Sequence, residues 1–246
     1  TIRSERNDKM EATCHFFREG HGMIKGKVVE ITSMATLVVT AVEAEKEAVV
    51  RGLPKNSAIE VIVGGVGIAQ MAANTAVALS QHTYQAVVNV GIAGGFVEEA
   101  PVGSFVVANE IIAADLGAES EKGFLSLEEL DLGVSRLACD QTVVERSVRS
   151  LEKLRLDVTE GAILTTTTVT GTASRAKLLK VRFPTAKAEA MEGYGVLAAA
   201  RLYNVPAFEW RSISNVVGPR DREKWKIKEA LALLEQAAPA LVEVFS

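Results

Sequence analysis

With two cysteines in 246 residues, the chain offers no disulfide framework to read. Cys14 and Cys139 stand far apart and fit no metal-ligand spacing, so both are expected as reduced thiols of a cytoplasmic protein. Histidine is nearly as scarce. Cys14, His15 and His21 lie near one another but lack a fourth ligand, so that segment reads as a short polar extension and no metal is expected. His82 reads as a surface residue near a helix end and leaves a Ser–His–Asp triad without a base. No apolar run approaches the roughly 18 residues that a membrane span requires. The first 33 residues lack the apolar centre of a secretory signal. Charge of one sign is lacking too. A net charge of −4 and a pI near 5.6 give no global attraction to nucleic acid or anionic membrane.

What is present is an ordinary soluble composition, 48% hydrophobic and 24% charged, long enough for one α/β domain with a large core. Met34 directly precedes the first strong strand. The expected organisation is therefore an N-terminal extension over residues 1–33, with no assigned role, and one functional domain over 34–246. From Thr36 onward, apolar β-rich runs alternate with runs of helical period: strands over 36–42, 59–64, 86–90, 105–114, 161–168, 186–190 and 207–217; helices over 43–51, 68–81, 140–153, 172–180, 192–203 and 228–244. Strands apolar on both faces imply a sheet covered on both sides. The predicted fold is a three-layer α/β sandwich around a mostly parallel mixed sheet. Ligands of such folds sit beyond the C-terminal strand ends, which points to the loops after Val42, Gly64, Val90, Thr168, Ala190 and Ser214.

Two glycine-rich turns invite a nucleotide reading. Gly65-Val66-Gly67-Ile68-Ala69-Gln70 follows a strand and opens a helix, but Gln70 replaces the third glycine of a dinucleotide fingerprint. About 20 residues further on, Val87, Val88 and Asn89 offer no acidic group for a ribose. A dinucleotide-dependent oxidoreductase is disfavoured accordingly. Gly91–Gly95 could cradle a phosphate or a sugar with backbone N–H groups, or be only a turn. Glu43, Glu192 and Asn215 each stand at a strand end. One carboxylate at a helix start is commonly dipole compensation, but three such residues on different strand ends of one sheet point to a shared pocket.

Taken together, these segments resemble the nucleoside phosphorylase / methylthioadenosine–S-adenosylhomocysteine nucleosidase superfamily over about residues 35–245. Thr40-Ala41-Val42-Glu43-Ala44-Glu45 resembles the first-strand motif whose glutamate handles the attacking water, and the role is carried to Glu43. Asn89–Gly95 resembles the sugar loop, with Ala93 and Gly94 at the substrate. Ala190-Met191-Glu192-Gly193 resembles the Met-Glu motif that holds the ribose hydroxyls, and Arg211–Asn215 occupies the segment that contacts the purine. Asp115–Glu119, Gly123–Leu125 and Ile213–Arg222 followed by Trp225 are similar to the futalosine hydrolase branch. Two departures from the methylthioadenosine enzymes stand out. Asn215 replaces the base-contacting aspartate, and Val169, next to Thr170, replaces the aromatic that stacks on the base.

The resemblance implies a homo-oligomeric hydrolase without a cofactor that cuts the N-glycosidic bond of futalosine, a 6-oxopurine nucleoside, and releases hypoxanthine in menaquinone biosynthesis. Glu43 would accept a proton from water, Glu192 would bind the ribose hydroxyls, and Asn215 would meet the N7/O6 edge. Asp221 would supply the proton that an amide cannot, and Arg220 or Arg222 would meet a carboxylate on the 5′ substituent. Water is favoured over phosphate as acceptor, because the loop beginning at Asn89 and carrying Ile92 offers little charge to a dianion. The alternatives are a methylthioadenosine-type nucleosidase and a non-catalytic nucleoside-binding protein; the latter has no need of a water-activating carboxylate.

Overall fold

A computed structural model describes residues 35–121 and 123–246. The N-terminal segment, with Cys14, His15 and His21 and the proposed boundary at residues 33 and 34, lies outside the described residues. Ten strands and six helices follow in order: β1 (Ala35–Thr40), α1 (Glu43–Gly52), β2 (Ile59–Val63), α2 (Ile68–Gln81), β3 (Tyr84–Gly95), β4 (Phe105–Ala113), β5 (Gly117–Ser120), β6 (Gly123–Ser126), β7 (Arg136–Ala138), α3 (Gln141–Lys153), β8 (Val158–Thr165), α4 (Ala173–Arg182), β9 (Ala186–Ala190), α5 (Gly193–Leu202), β10 (Ala207–Val216) and α6 (Ile227–Phe245).

The main sheet is mixed and mostly parallel, as expected, but it is not the flat middle layer of a sandwich. Its order is β10-β4-β8-β9-β3-β1-β2, with β7 on β4, and β10 pairs again with β3. The five strands β10, β4, β8, β9 and β3 therefore close on themselves, and β1 and β2 extend from β3 as an open wing. Closure removes sheet edges that would otherwise need covering. Two long strands make it possible. β3 runs straight through the glycine-rich Gly91–Gly95 segment, and β10 accompanies it in parallel from Ala207 to Val216. That segment is a strand end and not a loop, because its backbone pairs with β10 on one side and with β9 on the other. Around the ring, β3 and β9 meet antiparallel at Gly94 and Gly95, and β10 meets β4 antiparallel at three positions.

Helices cover both faces. One apolar cluster joins Val38, Val88, Phe105 and Trp210 to Leu234, Leu241 and Phe245 of α6. Another joins Leu37, Val39, Val87 and Ile163 to Met71 of α2 and Val196 of α5. Each fully buried large side chain in these layers is worth about 1.5–3 kcal/mol. The chain end is tied in as well, since Thr36 Oγ1 donates to the Phe245 carbonyl at 2.8 Å. The hairpin β5–β6 and the short β7 fall in a stretch for which the sequence signals no element; they are three or four residues long and none of their residues is fully buried. Among the described residues no helix is long and apolar enough to cross a membrane.

Candidate active site

A cavity of about 230 Å³ opens at the C-terminal strand ends, and it is lined near all six anticipated positions, by Val42, Val66, Val169 and Met191 and by Ile92 and Asn215, which lie on β3 and β10 themselves. Its walls are largely apolar. Three carboxylates reach it: Glu45, Glu189 and Glu192.

Glu43 is not one of them. It is the first residue of α1, is 63% exposed and lies 3.8 Å from Lys46 Nζ. Two residues later the helix has turned about 200°, which brings Glu45 back toward the sheet. Glu45 is 3% exposed and held at both oxygens. Its Oε2 accepts from the Ala41 N–H at 2.9 Å and the Val42 N–H at 3.3 Å, so it also caps its own helix. Its Oε1 accepts from the Ile92 N–H on β3 at 2.8 Å. Burial pushes its carboxyl pKa up; the Arg211 guanidinium and the Ile92 and Ala41 N–H groups pull it down, and Glu192 adds a smaller upward push.

Glu192 caps α5 and is 5% exposed. Its Oε1 accepts from Gly67 N–H at 3.3 Å, and its Oε2 accepts from Met191 N–H at 3.2 Å and Arg211 Nη2 at 3.3 Å. The Gly65–Gly67 turn thus meets a carboxylate and not a pyrophosphate. Arg211, on β10 and 1% exposed, is the hub behind the cavity. Its Nε donates to Glu209 at 2.7 Å, its Nη2 also donates to Asn89, and its Nη1 donates to the Ile92 carbonyl at 3.4 Å. The guanidinium and Glu45 approach β3 so closely that a Cβ on Gly91 would lie 2.6 Å from Arg211 Nη1 and 2.7 Å from Glu45 Oε1. Gly91 is a glycine because two charged groups occupy the space of its side chain.

At the other end of the cavity, Asn215 Oδ1 accepts from Ser214 Oγ at 2.8 Å, and its Nδ2 donates to the Val216 carbonyl at 3.1 Å. Ala93, Gly94, Val169, Thr170, Met191 and Arg220 line the cavity. Arg220 lies with its guanidinium 5.4 Å from the centre of the Trp225 ring. Asp221 is outside. Its side chain, 48% exposed, pairs with Lys224 Nζ at 2.9 Å across the 3-10 turn Arg222–Lys224, so it is not placed to protonate a leaving base. Among the described residues no cluster of three or more His, Cys, Asp or Glu could hold a metal ion.

Of the three cavity carboxylates, the sequence reading names Glu192, sets one two residues early and passes over Glu189. The signal for Glu45 was helical phase: an acidic residue on the sheet-facing side of α1. The signal for Glu189 was a carboxylate in a strand otherwise made of alanines and one lysine. Arg211 lies in the segment expected to contact the purine, and nothing in the sequence signals its burial behind Gly91–Gly95.

A closed mixed sheet carrying a nucleoside-sized cleft with buried carboxylates at its strand ends defines a known class. The family model described as Phosphorylase superfamily matches residues 27–246, and the chain belongs to that superfamily. Within it the chain is a member of the futalosine hydrolase family: it is 44% identical over 234 residues to the futalosine hydrolase of Streptomyces coelicolor, covering 86% of this chain and 96% of that one. The futalosine hydrolase of Acidothermus cellulolyticus is 45% identical over 222 residues, covering 85% and 91%. Among solved structures, the native futalosine hydrolase of Helicobacter pylori superposes with a TM-score of 0.75 at 16% identity, covering 85% of this chain and 97% of that one. The methylthioadenosine/S-adenosylhomocysteine nucleosidase of Neisseria meningitidis, in complex with methylthio-immucillin-A, gives 0.74 at 19% identity, covering 85% and 99%. These two likenesses establish the fold.

Proposed function

We propose that this protein hydrolyses the N-glycosidic bond of futalosine, releasing hypoxanthine and dehypoxanthine futalosine, as a step of menaquinone biosynthesis. The observation that carries the chemistry is the pair Glu45 and Glu192, both buried, both on one cavity and both held by backbone N–H groups. Cleavage breaks C1′–N9 and leaves positive charge on the sugar and negative charge on the purine. Glu192 accepts hydrogen bonds from the ribose hydroxyls, and these strengthen as the ring becomes cationic. Glu45 takes a proton from the water whose oxygen bonds to C1′. Burial raises its carboxyl pKa, which makes it a stronger base than an exposed glutamate. The Asn215 amide donates to the N7/O6 edge and spreads the charge of the departing purine, which takes its proton from solvent.

Arg211 pairs with Glu192 at 3.3 Å and its charge offsets part of the burial that raises the Glu45 carboxyl, and with these partners it is not free to bind phosphate. The same reading carries a cytoplasmic homo-oligomer that works without a cofactor. The test is a panel of inosine, methylthioadenosine and futalosine incubated with the protein in phosphate-free buffer, with the released base identified. Hypoxanthine from futalosine is expected to appear fastest. Adenine from methylthioadenosine appearing faster would assign the chain to the other nucleosidase activity. Binding without release would make it a nucleoside-binding protein.

A further inference from the structure

Glu209 is the most deeply buried of the carboxylates gathered around Arg211, and the reaction just described makes no use of it. It is 0% exposed and lies on β10 behind Arg211, apart from the residues that line the cavity. Arg211 Nε donates to its Oε1 at 2.7 Å, and among the described residues its Oε2 has no hydrogen-bond partner. Burial pushes its carboxyl up and the Arg211 guanidinium pulls it down. A buried ion pair with an unpartnered oxygen adds little stability, and a packed apolar side chain commonly does as well. The backbone is nonetheless cleared for it. A Cβ on Gly193, the residue after Glu192, would lie 1.9 Å from Glu209 Oε2.

The geometry of Arg211 shows what this extra anion does. Glu209 and Arg211 stand two apart on one strand, so their side chains leave the same face. A guanidinium is a rigid planar fork, and once its Nε is committed the directions of both Nη groups are set. Here Nε takes the short bond, at 2.7 Å to Glu209. Nη2 donates to Asn89, which is itself held by donating from Nδ2 to the Val39 carbonyl at 2.8 Å, and it reaches Glu192 only at 3.3 Å. Nη1 and Glu45 Oε1 both crowd the Cβ position of Gly91, yet among the described residues no hydrogen bond or ion pair joins them. The cation shared by Glu45, Glu192 and Glu209 thus makes its closest carboxylate contact on the side away from the cavity.

We propose that Glu209 is a positioning residue: it draws the Arg211 guanidinium back from the cavity, so that Glu45 stays free to take a proton from water and Glu192 stays free to meet the ribose hydroxyls. The assignment rests on the hydrolase reading of those two carboxylates and deepens it. Without the anion behind it, Arg211 would turn its fork toward the carboxylates that remain. A full salt bridge to Glu45 would make that carboxylate a weaker base. The other titratable neighbours are Glu192, which acts on both Glu45 and Glu209, and the Cys139 thiol beside Glu209, kept protonated by burial and by that carboxylate.

The test is the pH titration of the Glu45 carboxyl in the full chain, followed by carbon-13 NMR of glutamate-labelled protein and assigned by the signal lost in Glu45→Gln. It needs no turnover. Glu209→Gln keeps the shape of the side chain and an acceptor for Arg211 Nε but removes the charge. Its Glu45 midpoint should fall by about half a pH unit or more. The acid limb of kcat should move to lower pH with it, and kcat itself should drop about threefold or more. Glu209→Asp keeps the charge but withdraws it by one methylene, and should move the midpoint in the same direction by less. An unmoved midpoint in folded Glu209→Gln, or in Glu209→Asp should the first variant not fold, would overturn the proposal. A midpoint that moves in a protein that cleaves no nucleoside would leave Glu209's hold on Arg211 standing and remove the hydrolase reading instead.

Discussion

The chemistry of the site turns on which glutamate of the first helix faces the cavity. Glu45 is sequestered and held from both sides, while Glu43 is solvated and paired with Lys46. Glu45→Gln should therefore lower kcat by about 10²-fold or more with KM little changed. Glu43→Gln should leave both within about twofold; steady-state kinetics of the two variants decide it, and the reverse pattern would return the base to Glu43. The pH profile carries a second prediction. A base must be deprotonated to act, and burial raises the Glu45 carboxyl above its ordinary range. Activity should thus fall with decreasing pH along a limb centred above the usual glutamate value, and Glu45→Gln should abolish that limb. At the base, Asn215→Asp replaces the N–H donor by an acceptor or an acid. It should lower kcat/KM for futalosine and raise it, relatively, for the 6-amino counterpart. An unchanged ratio would mean that Asn215 does not read the base.

Elements explain why some of this could be read from the sequence and some could not. The strands and helices that build the site are strongly patterned, and their order, their mostly parallel pairing and the strand ends that meet at the cavity follow from apolar runs and glycine punctuation alone. Helical phase within α1 was equally available: residues two apart lie on opposite faces, and Glu45, not Glu43, shares a face with buried Val49. The Gly91–Gly95 segment was harder. Glycines suggest a loop, but here they are needed because Arg211, Glu45 and Asn215 crowd a paired strand, and that follows only from tertiary packing. Arg211 was not legible as a hub for the same reason, since its partners Asn89 and Glu192 come from two other points of the chain and only Glu209 is local. Removing its charge with Arg211→Leu leaves buried Glu45, Glu192 and Glu209 without their shared cation. The loss expected is about 3–5 kcal/mol of unfolding free energy, measurable by urea denaturation. A loss under about 1 kcal/mol would mean that the cluster does not depend on Arg211. Cys139 shows the opposite case, a residue whose bland reading suffices. Burial pushes its thiol up to about 12, so it stays a protonated packing group.

At the scale of the molecule, the sequence pattern could not reveal ring closure. A buried strand reads the same whether its sheet ends or returns, and the closing contacts between β10 and β4 and between β3 and β9 involve only a few residues each. Closure nevertheless makes the site, because it sets β9 and β10 on either side of β3 and so brings Glu189 and Asn215 to one cleft. Every described residue that lines the cavity lies at position 41 or beyond. A chain lacking residues 1–33 should therefore keep kcat/KM within about twofold. If it kept its fold and assembly but lost activity, the extension would have to take part in the site. The most direct test of the whole account is futalosine turnover in oxygen-18 water, with and without inorganic phosphate, followed by mass spectrometry of both products. The account predicts hypoxanthine together with a sugar product that carries the label at C1′, at a rate independent of phosphate. An unlabelled sugar phosphate, or a rate that requires phosphate, would contradict it.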